Sequence, residues 1–232
     1  RRKIQYICMV ALEKEVGILM EYVQNYYGLS EPKIFSNRDI LVDVRNEYDI
    51  LYKNFINPEI RPRLKDIPIF IKNEKKNGME ERYLHSISLV DKGYYKKVLP
   101  CNNLTYSKDC IPKCKRENAG FLFASLDRGR VECQYRLSRI QWIPQIIKYA
   151  NENDPRITMW RYDKQDKSGK WYWARYVRYQ CEFIDFLIVF NELYDKKNKT
   201  KLNYLDFRTA YPVFSPIEAN DLTKQSKKYP IK

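Results

Sequence analysis

His85, in the stretch EERYLHSISL, is the only histidine in 232 residues. An imidazole takes up and releases protons near neutral pH without any help from its surroundings, so His85 is the first candidate for acid/base work. Leu84 and Ile87 beside it predict a helix in which the ring lies next to the apolar stripe and reaches a cleft; the alternative is an ordinary inner-face histidine. Arg136 and Arg139 stand three apart in QYRLSRI. On a helix that spacing turns two guanidinium forks toward one side, where both can grip one phosphate, while on a solvated face they are plain surface charge. Arg178 and Arg208 fall in strand-like segments and can add phosphate contacts, or serve as exposed cross-strand partners. Tyr211 can stack on a base or donate a proton, or simply pack before Pro212.

Composition sets the partner class. Lys and Arg number 43 against 29 Asp and Glu, a formal charge of +14, which favours a polyanion such as RNA and speeds encounter with it. The apolar fraction of 44% is enough for a packed core. No apolar run reaches the roughly 18 residues of a membrane span, and no secretory signal opens the chain, so no membrane span is expected. The start at Arg1 is what a trimmed chain or the terminal part of a longer protein would show. Glycine is scarce, at 7 residues, and no glycine-rich phosphate loop is present, so no cofactor is expected. Cysteines at 8, 101, 110, 114, 133 and 181 lack paired C-x2-C spacing, which points to free thiols rather than a metal site; disulfides among Cys101, Cys110, Cys114 and Cys133 stay open for an exported chain. Asp127, Glu132, Asp154 and Asp163 do not form the pattern of a metal-dependent DNase.

The elements that must position these groups follow from periodicity. Residues 4–27 and 36–56 read as helices, the second capped by Ser36 or Asn37. The proline-bearing NPEIRPRLKDIP reads as a connector, with a domain division near Gly78: a helical region over 1–78 and a second domain over 79–232. A helix is expected over 79–98, a short strand at GFLFASL, and a helix with Pro144 in its first turn. From Ile157 the period becomes two. ITMWRYD, KWYWARYVRYQC, DFLIVFNELY and NYLDFRTAYPVF predict four strands of an antiparallel meander, and the polar tail after Phe214 should fray. Trp142, Trp160, Trp171 and Trp173 are expected in the core. Helices first and a sheet last define α+β, with a four- to five-stranded antiparallel sheet packed on helices.

The pieces YLHSI, RLSRIQWIPQII, ARYVRYQ before DFLIVF, and FRTAYPV occur in an order that resembles the metal-independent ribonucleases grouped around barnase, EndoU, colicin D and RelE, above all their phage- and toxin-associated branch. The resemblance covers about residues 79–215. It implies a BECR-like fold and an endoribonuclease toxin that cleaves RNA, tRNA included, by attack of the 2′-hydroxyl on the adjacent phosphate. It also implies that Thr209, as the hydroxyl residue of the last strand, contacts phosphate. That reaction needs a proton acceptor, a proton donor and positive charge on the phosphorane, so the expected catalytic set is His85, Arg136, Arg139 and Thr209, with Arg178, Arg208 and Tyr211 binding substrate. Expected with it are an acidic immunity or antitoxin partner, action in the cytoplasm, and delivery from another cell or a phage origin. The competing expectations are a non-catalytic nucleic-acid-binding protein and a basic adaptor domain.

Overall fold

Val44, Tyr48, Leu51 and Phe55 recur at three- and four-residue intervals, and a helix forms along them in the computed structural model. That structure describes residues 28–33, 35, 40–90, 130–166, 168–182, 184–198 and 200–231. Helix α1 spans Ile40–Leu51 and continues as a π-helical turn over Tyr52–Ile56. It buries Val44, Leu51 and Phe55 while leaving Leu41 exposed. The helix expected over 4–27, the Ser36 or Asn37 cap, the Cys101 to Cys114 segment and the GFLFASL strand lie outside the described residues.

The segment expected to be a bare connector holds two short strands, β1 (Arg63–Leu64) and β2 (Ile67–Phe70). A small hairpin follows, β3 (Lys75–Lys76) with β4 (Met79–Glu80). The helix expected over 79–98 is cut to α2, Glu81–Ser86. Ser88 then leaves in extended form to begin β5 (Ser88–Val90), which pairs with β6 (Arg130–Glu132). A partner some forty residues downstream decides that ending. One helical turn, α3 (Gln134–Leu137), leads to α4 (Trp142–Asn151). Trp142, Ile143, Ile146, Ile147 and Ala150 form its buried face. Pro144 sits in the first turn, where a missing N–H breaks no helical hydrogen bond.

The four long strands then run β7 (Ile157–Gln165), β8 (Trp171–Cys181), β9 (Ile184–Tyr194) and β10 (Leu202–Pro212). They pair consecutively and antiparallel. The sheet is larger than expected, with six strands ordered β1-β2-β10-β9-β8-β7, and β2 lies parallel to β10. The architecture is α+β, helices with a curled and mostly antiparallel sheet. The division near Gly78 does not coincide with a packing boundary. β2 belongs to the main sheet, and Val44, Leu51, Phe55, Leu64 and Ile69 share one core with Phe186, Phe190 and Phe207.

The tail expected to fray is instead helix α5 (Pro216–Lys228). Ser215 caps it by accepting from the Glu218 amide, and Pro216 fits the first helical position. Leu222 anchors it over Trp160, Tyr176 and Leu187. Among the described residues, one sheet face is therefore covered by α1 and α4, and the other is covered at one end by α5.

Candidate functional site

Helix α2 carries Arg82 and His85 three residues apart, on one side, while Tyr83, Leu84 and Ile87 sink into the core. The helix is tied down on both flanks. The Tyr83 hydroxyl donates to the Val44 carbonyl at 2.6 Å, and Ser86 Oγ accepts the Ala210 amide of β10 at 3.3 Å. β2 pairs with β10 only at Leu205 and Asp206, so α2 takes over the rest of that strand edge.

Across from α2, β10 carries a bulge. Phe207 pairs with Phe190 and Thr209 with Val189, leaving Arg208 as the extra residue. A bulge breaks strict alternation, and here Arg208 and Thr209 both line the same side. The result is a cleft of about 240 Å³ walled by Arg82, His85, Arg208 and Thr209 and floored by Lys164, Asn191, Tyr172, Tyr176 and Tyr211. His85 Nδ1 lies 3.2 Å from Thr209 Oγ1. The two groups, 124 residues apart in the chain, meet within hydrogen-bonding distance.

The electrostatics are lopsided. Burial, followed by the charges of Arg130, Arg136, Arg82 and Arg208, pushes the His85 pKa down to about 3. The ring is neutral at physiological pH. One ring nitrogen is then a donor and the other a bare acceptor, and the Thr209 contact determines which faces the cleft. Arg82 has its own pKa lowered by burial and by Arg208, and its Nε is buried without a hydrogen-bond partner among the described residues. Arg208 reaches Asp206 at 3.3 Å. A half-buried guanidinium with an unpartnered Nε favours an incoming anion.

The other expected site residues divide. Arg136 is close enough to depress His85, yet its guanidinium donates to the Ser88 carbonyl at 3.2 Å and sits 5.4 Å from the Tyr211 ring centre. It braces the wall beside the cleft. Arg139 does not join it. The backbone between Leu137 and Trp142 is a series of tight turns, so the three-residue spacing no longer aligns the pair. Arg139 is 2% exposed, donates to Ser138 Oγ at 3.0 Å and stacks 3.5 Å over the Tyr135 ring. Arg178 is 1% exposed, held by two bonds to Asp185 at 2.8 and 2.6 Å and one to Thr223 at 2.9 Å. It pins α5 to the sheet and is not available to substrate. Tyr211 lends its ring to the floor, and its hydroxyl donates to Glu218 at 2.9 Å; burial and Glu218 push its pKa well up.

Several lining residues escape the sequence. Arg82 had a signal, since the spacing that singles out Arg136 and Arg139 applies equally to Arg82 and His85. Lys164, Tyr172, Tyr176 and Asn191 had none, because only cross-strand register brings them together. Arg130, equally unforeseen, is a buried strut donating to Ser88 Oγ at 2.7 Å, the Ser88 carbonyl at 2.8 Å and the His85 carbonyl at 3.1 Å.

Trp142 and Trp160 are core residues as expected, whereas Trp171 and Trp173 are 62% and 38% exposed. They lie on the α4-side face of β8 beyond the reach of the helices, with Arg161 4.1 Å over Trp173. Cys133 and Cys181 are free thiols. Among the described residues no group of three His, Cys, Asp or Glu side chains could hold a metal ion, and no helix is long and apolar enough to cross a membrane. Comparison with protein-family models, curated proteins and solved structures gives no match to this chain.

Proposed function

We propose that this chain is a metal-independent endoribonuclease of the BECR-like toxin type, cleaving RNA by 2′-hydroxyl transesterification. The observation that carries the reading is the meeting of His85 and Thr209 at 3.2 Å in a cleft whose Arg82 Nε has no hydrogen-bond partner among the described residues. In this mechanism a backbone phosphate enters between Arg82 and Arg208. Nδ1–H of His85 donates to Thr209, which leaves Nε2 as the acceptor for the 2′-hydroxyl proton. The 2′ oxygen forms its bond to phosphorus, the bond to the 5′ oxygen breaks, and that oxygen leaves with a proton from a water molecule, whose hydroxide takes the proton held on Nε2 and restores neutral His85. A 2′,3′-cyclic phosphate remains. The phosphorane charge falls on two guanidiniums, the kind of electrostatic stabilisation that lowers such barriers. Burial is the first cause of the neutral ring and the arginine charges the second; a bound phosphate offsets the second, so the ring becomes a better base when substrate is present. An acidic immunity protein over the same cleft, and roles in delivery or regulation for the amino-terminal residues, belong to this proposal.

A second reading has one observation in its favour. A ring held down to about pKa 3 is a weak base in the unbound protein, as suits a non-catalytic RNA-binding cleft. Mixed tRNA incubated with protein in EDTA separates the two. Cleavage to cyclic-phosphate ends is expected, with loss of about 10²–10⁴ in rate for His85→Gln and RNA affinity within a few fold of wild type. A 2′-deoxy sugar at the cut position should bind and resist. Intact RNA with wild-type protein leaves the binding-only reading standing.

A further inference from the structure

Phe70 closes β2 and pairs with Asp206 across the parallel ladder. Asp206 in turn pairs with Asn191, and Asn191 with Ala174. Side chains in one such row share a sheet face, and Asn191 and Ala174 line the cleft. Phe70 therefore stands on the cleft face, one strand beyond β10. The residue is 36% exposed. Tyr204, on the same face of β10, lies 4.7 Å away between ring centres. The guanidinium of Arg61 sits 4.6 Å from the Phe70 ring centre.

Between this cluster and the cleft lies Asp206, which is buried beneath its ion pair with Arg208. Arg208 thus borders both. One strand spacing and a two-residue rise put Phe70 on the order of 8 Å from Arg208 along the sheet, a distance that one nucleotide unit of a single strand bridges. A pair of aromatic rings with an exposed guanidinium over one of them, one step from a phosphate site, is a composition that holds single-stranded nucleic acid by stacking and charge together.

We propose that Phe70, Tyr204 and Arg61 form a base-stacking subsite for the nucleotide next to the one whose phosphate occupies the His85 cleft. The inference rests on the RNA reading above, but concerns binding rather than cleavage. Stacking on Phe70 is sequence-tolerant, so the subsite adds affinity and fixes strand direction without choosing a base.

Two labelled 2′-O-methyl octanucleotides test this, because neither can be cut: one of mixed sequence, and one abasic with the same phosphates. Phe70→Ala should weaken binding of the mixed octamer by about fivefold or more and leave the abasic octamer within twofold. Phe70→Trp should restore the mixed octamer, which also guards against a folding defect. Equal affinity of wild type and Phe70→Ala for the mixed octamer, while Arg208→Ala weakens it, would overturn the subsite and spare the cleft. Failure of wild type to bind either octamer would overturn the RNA reading and the subsite with it.

Discussion

His85 stays neutral because burial and four guanidiniums, Arg130, Arg136, Arg82 and Arg208, oppose its proton. In the unfolded chain the same ring titrates near its ordinary 6.5. Between those values the unfolded chain binds a proton that the folded protein refuses, so stability from this group is complete above pH 6.5 and drains away as pH falls toward 3. The loss is on the order of several kcal/mol at the bottom of the window. Urea denaturation at pH 7, 5.5 and 4 should show wild type losing more stability than His85→Gln over that range. Parallel curves would mean that the ring is not held neutral, and the arginine-lined cleft would lose its main electrostatic signature. At this scale the sequence was partly legible. His85 and Thr209 could be chosen on chemistry and resemblance, but Arg139 and Arg178 could not be told from surface arginines. Their partners, the Tyr135 ring and the Asp185 carboxylate, appear only once turns and strand register are known.

Among the elements, the long strands were legible because residues such as Val177 and Tyr179 alternate with Arg178 and Gln180, and alternation survives in any sheet partner. The polar α5 was not. Leu222 is its one buried side chain, too little to mark a helical stripe, and the rest of its anchoring comes from Arg178 and from the Ser215 cap. Ser215→Ala should therefore cost about 1 kcal/mol, read as a lowered denaturation midpoint with unchanged slope. No change would mean that α5 is held by packing alone. The end of α2 escaped for a different reason, since β6, the strand that draws Ser88 out of the helix, lies far along the chain. The bulge at Arg208 leaves no mark in composition, yet it is what lets two consecutive residues serve one cleft.

For the whole molecule, the formal charge of +14 predicts that the proposed RNA binding weakens with salt. If Arg82, Arg208, Lys164 and Arg61 meet about three to four phosphates, log affinity for the mixed octamer should fall against log salt with a slope of about −2 to −3. A slope near zero would show that bases, not phosphates, dominate. The α+β class was legible from element order, but not the insertion of β2, because a parallel partner is joined through a long excursion that no local pattern announces. That excursion makes residues 40–78 part of the body that builds the cleft wall.

The pairing of His85 with a hydroxyl 124 residues downstream also has a consequence in time. At a translation speed of about 5–20 residues per second, roughly 6 to 25 seconds separate the two residues as they leave a ribosome. Throughout that interval the nascent chain carries the imidazole without its counterpart. The cleft is therefore incomplete until β10 has emerged, and any message truncated ahead of that strand yields a chain that lacks it.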